Sequence, residues 1–262
     1  MVKISDVLGY QPIDIHTHLD HGVDGDRRVL VGESQSTIHR CELDLLKAEY
    51  DSVGICCGAF STFSSLSRAA RTIEENDYLH TLSENTDWIY QWLALDPNQD
   101  ANFEQVDRLL SSPKVLGIKL HVWHNYDILE YGDKIFSFAN ERGAFVMMHP
   151  DKIPQMPAFA DKYPNMKLII AHVGSEDHIN AVAAAKHGNI YLDTSGGASN
   201  FNNVIELAVE RLGSDNILFG TDTYSSAFQV GRIAWARISD VDKKKILRDN
   251  AKRLFPEVFK NV

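Results

Sequence analysis

The chain has 262 residues, 44% hydrophobic and 24% charged, with a formal net charge of −10. That length suits one α/β barrel, and the composition excludes a disordered or fibrous chain. The acidity opposes binding to nucleic acid or to an anionic membrane, both of which call for a basic face, and leaves a small-molecule substrate as the expected partner.

The first residues, Met1 to Asp6, lack the apolar core of a signal peptide, and no run of about 18 apolar residues occurs. A soluble, cytoplasmic protein is the expectation. Cys41, Cys56 and Cys57 are odd in number and show neither zinc nor redox spacing, so they read as small buried hydrophobes in a reducing compartment.

The first apolar run, 12–18, ends in His16 and His18. Side chains two apart on a strand share a face, so both imidazoles can converge on one point, where a metal ion is the natural occupant. Further runs follow at 52–58, at 88–95 and at 115–122, the last carrying Lys119 and His121. Those at 144–149, 167–173 and 217–222 bring His149, His172 and Asp222 to their C-terminal ends, with 189–193 between the last two. Being almost continuously apolar, they read as buried parallel strands. Amphipathic segments alternate with them, around 38–48 and at 66–82, 103–110, 128–140, 156–162, 179–186 and 204–212, then at 227–255 with a break near Ser239. Eight strand-then-helix repeats with no linker or composition shift predict a single (β/α)8 TIM barrel domain over 1–262, which places chemistry at the C-terminal strand ends. A doubly wound open sheet would offer a glycine-rich phosphate loop after its first strand, and residues 16–26 contain none.

The order His-X-His, His149, His172, Asp222 resembles the amidohydrolase superfamily of metal-dependent barrel hydrolases, most closely its amidohydrolase-related branch. That branch includes small hydrolases and the non-oxidative decarboxylases similar to aminocarboxymuconate semialdehyde decarboxylase. The segments 117–121, 164–174 and 246–255 carry the same resemblance. It implies His16, His18 and His149 as metal ligands, Asp222 bound to or touching the metal, and His172 just outside that shell or completing it. It implies one metal rather than two, Zn2+ with Mn2+ or Fe2+ as alternatives. Such an ion lowers the pKa of water from about 15.7 towards 7. Asp222 would then take the water proton and pass it to the leaving group, while His172 polarises the substrate carbonyl or holds the oxyanion. Asp222 has a second reading as the N-cap of the following helix.

Lys119 also has two readings. In binuclear relatives a lysine on this strand is carboxylated and bridges two metals; otherwise it orients an anionic substrate or pairs with a barrel carboxylate such as Asp14 or Asp193. The tatD-like nucleases share the ligand order, but they usually carry a glutamate where this chain has Lys119, and DNA sits poorly with the net charge. Phosphotriesterase-like and histidinol-phosphatase-like barrels use the same ligand types without explaining segment 117–121. The resemblance therefore implies a hydrolase cleaving a C–N or C–O bond of a small carboxylated molecule, or a decarboxylase that protonates carbon as CO2 leaves. Barrels of this branch often form homodimers.

Around the mouth, Lys119, His121, Trp123 and His124 are candidates to bind substrate, joined by His21 from the loop after the first run. That loop also holds Asp24, Asp26, Arg27 and Arg28, and an arginine there could grip a carboxylate. Arg68 and Arg71 could do so only if their helix starts near the mouth. Tyr126, Tyr224 and Ser225 are further rim positions, and 194–197 can let a ligand approach closely. His39, His80 and His187 are expected on the outer surface.

Overall fold

The apolar runs become strands buried along nearly their whole length, an arrangement stable only when each pairs on its edges and is covered by helices. In the computed structural model, which describes residues 9–19, 42–67 and 71–262, eight parallel strands lie side by side in sequence order. They are β1 (Ile13–Leu19), β2 (Cys57–Thr62), β3 (Ile89–Ala94), β4 (Val115–Leu120), β5 (Phe145–Met148), β6 (Lys167–Ile170), β7 (Ile190–Asp193) and β8 (Ile217–Leu218). Ile15 N–H bonds Phe219 O at 3.0 Å, and the N–H groups of Thr221 and Asp222 both reach His16 O, at 3.0 and 2.7 Å. These bonds join the last strand to the first and make the barrel expected from the sequence.

Several boundaries move. The second strand starts at Cys57 rather than 52, because the helix Leu43–Val53 runs on until Gly54 stops it with φ 74°. The expected helix 66–82 is two, Phe63–Ser67 and Thr72–Glu84. The break near Ser239 is real: its hydroxyl caps Asp240–Lys244 by accepting Asp242 N–H at 3.1 Å, and a π turn, Lys245–Asp249, leads into Asn250–Leu254. Among the described residues no helix is long and apolar enough to cross a membrane.

The floor of the barrel is filled with apolar side chains. Ile13, Ile15, Trp92, Phe145, Met147, Ile169 and Leu218 pack there on Phe255 and Phe259 from the chain end. Phe145 and Phe255 have ring centres 4.2 Å apart, and Tyr90 and Phe259 4.9 Å. Trp92 Nε1 donates to Ile15 O at 2.7 Å, so the one polar atom of this large side chain is satisfied.

Candidate active site

Strict alternation cannot send Ile13 and Ile15 to the floor while turning His16 and His18 into the mouth. The register of β1 against β2 shifts between Asp14 and Thr17, and that irregularity changes which parity faces inward. On β4 the same device appears. Leu116 belongs to the floor and Lys119 to the cavity, and the register against β3 slips between Gln91 and Trp92. Gly117 makes the slip possible, since a Cβ there would stand 2.3 Å from Phe145 O.

A cavity of about 200 Å³ opens at the C-terminal strand ends, lined by His16, His18, Lys119, His121, His149, His172 and Asp222 with Phe63, Leu66 and Tyr224. His18 Nε2 lies 3.0 Å and His16 Nε2 3.7 Å from Asp222 Oδ1. Bonds of about 2.1 Å set neighbouring donors of a tetrahedral or octahedral ion about 3.0–3.4 Å apart, so this trio fits a divalent metal. His16, His18 and Asp222 form one of two groupings among the described residues whose donor atoms all lie within 4.8 Å; the other is His16, His172 and Asp193. His149 joins neither grouping. It stands across the cavity between His121 and His172, ring centres 4.5 and 5.1 Å away.

Behind these residues lies a network that the sequence reading missed. Asp193 Oδ2 accepts from His16 Nδ1 at 2.8 Å, which turns the Nε2 lone pair towards the cavity. Its Oδ1 accepts from the His172 N–H at 3.1 Å, the Ser195 N–H at 2.9 Å and the Ser195 hydroxyl at 2.5 Å. With its proton on Asp193, Ser195 Oγ can only accept from His172 Nδ1, 2.9 Å away. His172 therefore carries its proton on Nδ1 and points a bare Nε2 at Asp222 Oδ2, 3.9 Å distant. In this tautomer Nε2 offers the cavity a lone pair and no hydrogen. Gly196 stands against this pair at φ 72°, where a Cβ would meet His172 Nδ1 at 2.7 Å and Asp222 Oδ2 at 3.1 Å.

Beneath β1, Asp14 accepts from the Tyr50 hydroxyl, the Thr221 hydroxyl and two backbone N–H groups, those of His16 and Thr221. Gly58 leaves room for Tyr50, whose hydroxyl would lie 2.5 Å from a Cβ there. Beyond β8, Asp222 and Thr223 both adopt left-handed backbone, φ 56° and 57°. Thr223 Oγ1 accepts from the His18 N–H at 2.9 Å and donates to His18 O at 3.0 Å, clamping the turn to β1. The turn aims Asp222 inward and does not make it a helix cap; Ser225 caps the helix Ser226–Ala234.

Burial disfavours the charged form of four imidazoles at the cavity, those of His16, His18, His121 and His149. It lowers His16 to about 3, aided by the Lys119 charge and opposed by Asp193, and it lowers His149 to about 3 with help from His172. His18 and His121 move the same way for the same reason. For Asp222 and Asp193 burial pushes upward, but the surrounding histidines outweigh it and hold both carboxyls far below their usual range. Neutral imidazoles facing ionised carboxylates are the protonation states that a metal needs.

Lys119, 1% exposed, departs from the pairing expected with Asp14 or Asp193: its Nζ lies 2.6 Å from His16 Nε2. Burial lowers it to about 8 against the attraction of Asp222 and Asp193. His124 faces away from the cavity. Its Nε2 is 2.8 Å from Ser65 O, because the short turn Val122–His124 swings the ring against the helix Phe63–Ser67. Arg71 pairs with Glu74 and Glu75 on its own helix. His80, expected on the surface, is half-buried, with Nδ1 3.2 Å from Gln91 Oε1. His21, Asp24, Asp26, Arg27, Arg28, His39, Cys41, Arg68 and the Trp123 side chain lie outside the described residues. Asp193 ends its apolar run just as Asp222 does, and that shared position was the available signal.

The model of a family described as amidohydrolase matches residues 13–256. Among solved structures, a 5-carboxyvanillate decarboxylase from Novosphingobium aromaticivorans with bound manganese superposes with a TM-score of 0.73 at 15% identity, covering 95% of this chain and 98% of that one. A 2,6-dihydroxybenzoate decarboxylase from Rhizobium gives 0.71 at 18% identity, over 94% of this chain and 98% of the other. A probable 2-pyrone-4,6-dicarboxylic acid hydrolase from Acinetobacter baumannii gives 0.69 at 14% identity, over 94% and 99%. At these identities the likeness is one of fold. No curated protein sequence matches.

Proposed function

The chain belongs to the amidohydrolase family, and on that premise we propose that it is a metal-dependent hydrolase of a small carboxylated substrate, cutting a C–N or C–O bond. The observation that carries this reading is Asp222: a carboxylate held ionised 3.0 Å from His18 Nε2 and 3.7 Å from His16 Nε2, at the edge of a small cavity. His16, His18 and Asp222 would hold the ion, and His149, expected as a further ligand, lines the same cavity. When bound, a Zn2+ or Mn2+ ion supplies Lewis acidity and an activated water. Manganese in a structural neighbour makes it the first alternative to zinc.

The remaining steps fall to the chain's own groups. Asp222 accepts the proton of the attacking water and returns it to the leaving nitrogen or oxygen. His172 Nε2, 3.9 Å from Asp222 Oδ2, can receive that same proton from Asp222 on its way to the leaving group, and the imidazolium so formed steadies the developing oxyanion. Phe63 and Leu66 exclude bulk water from one wall, while the substrate carboxylate meets Lys119 or His121 on another. One metal is favoured over two because the second grouping depends on His16 Nδ1, whose proton is committed to Asp193.

Decarboxylation is the second reading, favoured by Lys119. Its ammonium, which burial makes more acidic, to about 8, is a proton source in a cavity otherwise lined by bases. The test is turnover of carboxylated lactones, esters and amides in 18O water by protein loaded with zinc or manganese, with CO2 release measured in parallel. Incorporation of 18O that disappears in Asp222→Asn supports the hydrolase. CO2 release without 18O incorporation transfers the assignment to the lyase. A chain that takes up neither metal and turns over nothing overturns both.

A further inference from the structure

The other concentration of reactive side chains lies at the opposite end of the barrel. Cys56 is half-buried just before β2, and Cys57, the first residue of that strand, is fully buried. Their sulfurs are 3.8 Å apart. Arg248, from the π turn, places Nη1 3.5 Å from Cys56 Sγ and donates from the same nitrogen to Gln11 O at 2.6 Å. Cys56 Sγ also lies 3.3 Å from the carbonyls of Gln11 and Pro12. Of the three cysteines expected to be buried hydrophobes, Cys57 is buried and Cys56 only half-buried, while Cys41 lies outside the described residues.

From this juxtaposition we propose that Cys56 and Cys57 form a peroxide-oxidisable vicinal dithiol, with Cys56 the attacking thiol, Cys57 the resolving thiol and Arg248 the group that favours the attacking thiolate. The guanidinium disfavours a bound cation at the pair, so the site takes an oxidant and not a metal. The Cys56 thiolate attacks one oxygen of a hydroperoxide; the O–O bond breaks, and the leaving oxygen departs with a proton as water or an alcohol. Cys57 sulfur then attacks the Cys56 sulfenic acid, forming the S–S bond and releasing water. Two thiols are oxidised and one hydroperoxide is reduced, with no other reactant.

Two features give the pair its character. Burial opposes a thiolate at Cys56, but hydrogen bonding from Cys57 and the Arg248 charge lower it to about 7, while the Cys57 thiol is pushed up. A sulfur held that way is reactive near neutral pH. Consecutive Cα atoms are about 3.8 Å apart, below the usual disulfide span of about 4.4–6.8 Å, so the bond is strained and easily reduced again. The proposal is independent of the metal reading, because the two sites occupy opposite ends of the barrel.

Peptide mass spectrometry of the Cys41→Ser protein after low peroxide tests it. The 56–57 peptide should lose two hydrogens reversibly with dithiothreitol, and Cys57→Ser in that background should instead trap dimedone on Cys56. Arg248→Gln should slow the oxidation about tenfold and Arg248→Lys much less, separating charge from fold. Two outcomes overturn the proposal: a peptide unchanged under peroxide that oxidises the urea-unfolded chain, or equal oxidation rates in the folded and unfolded protein.

Discussion

The mouth and the floor of this barrel are built from the same strands and have opposite chemistry. At the floor, Phe255, Phe259, Trp92 and Phe145 fill the space between strands with apolar surface, and their contribution is stability. At the mouth, β1, β7 and the turn after β7 bury His16, His18, Asp193 and Ser195, groups that cost free energy unless each finds a partner. They find one another. Two register shifts, on β1 and β4, separate the regimes, so a few residues of chain pass from core to site. The lesson is that stability and chemistry in this chain should be separable by mutation.

Asp222→Asn should produce the largest effect. Asparagine has the same shape and tolerates the left-handed backbone at φ 56°, so circular dichroism and melting temperature should hardly move. Loss of the base should lower kcat about 10⁴-fold, or ~5.5 kcal/mol. A variant with wild-type turnover would remove Asp222 from the chemistry. Phe259→Ala is the mirror experiment. Deleting a fully buried ring that packs on Tyr90 and Phe255 should cost about 3–5 kcal/mol of unfolding free energy. Denaturant titration measures that loss, and activity per folded molecule should stay near wild type. If turnover and stability fall together, the mouth and floor are one cooperative unit after all.

Asp193→Asn sharpens the comparison within the mouth. The amide keeps the volume but no longer offers two anionic acceptors to His16, His172 and Ser195. Metal affinity should fall about 10- to 100-fold, or ~1.4–2.7 kcal/mol, as when other orienting partners are removed. Competition with a chromophoric chelator reads this directly, and unchanged affinity would show that His16 needs no orienting partner.

The sequence carried the barrel and the strand-end histidines because both rest on local pattern: apolar runs of strand length, and polar residues where those runs stop. What it hid depends on backbone detail. Nothing in Ile13 to Leu19 marks a register shift, yet without one His16 and Ile15 could not both face inward. Asp193 was read only as a partner for Lys119, since a carboxylate one strand from the obvious ligands looks like any buried acid until its distances are known. His124 looked like a rim residue because it follows His121, and only the short turn reveals that its ring faces Ser65. The sequence starts the strand near 52, too early, because Ser52 and Val53 suit either state and Gly54 can end a helix or precede a strand.

Thr223 tests the smallest effect and the most specific one. Its hydroxyl makes two bonds to the His18 backbone and fixes how far the Asp222 carboxylate stands from the His18 ring. Thr223→Val removes both bonds while keeping the β-branched shape, so the strain of φ 57° is the same in both proteins. The expected cost is a three- to tenfold weaker metal Kd, about 0.7–1.4 kcal/mol. Thr223→Ser should restore it, since serine keeps the hydroxyl. A purely structural role would lower the melting temperature and leave the affinity of the remaining folded protein unchanged. Weaker binding with a conserved melting temperature, rescued by serine, is the result that assigns the clamp to the site and not to the barrel wall.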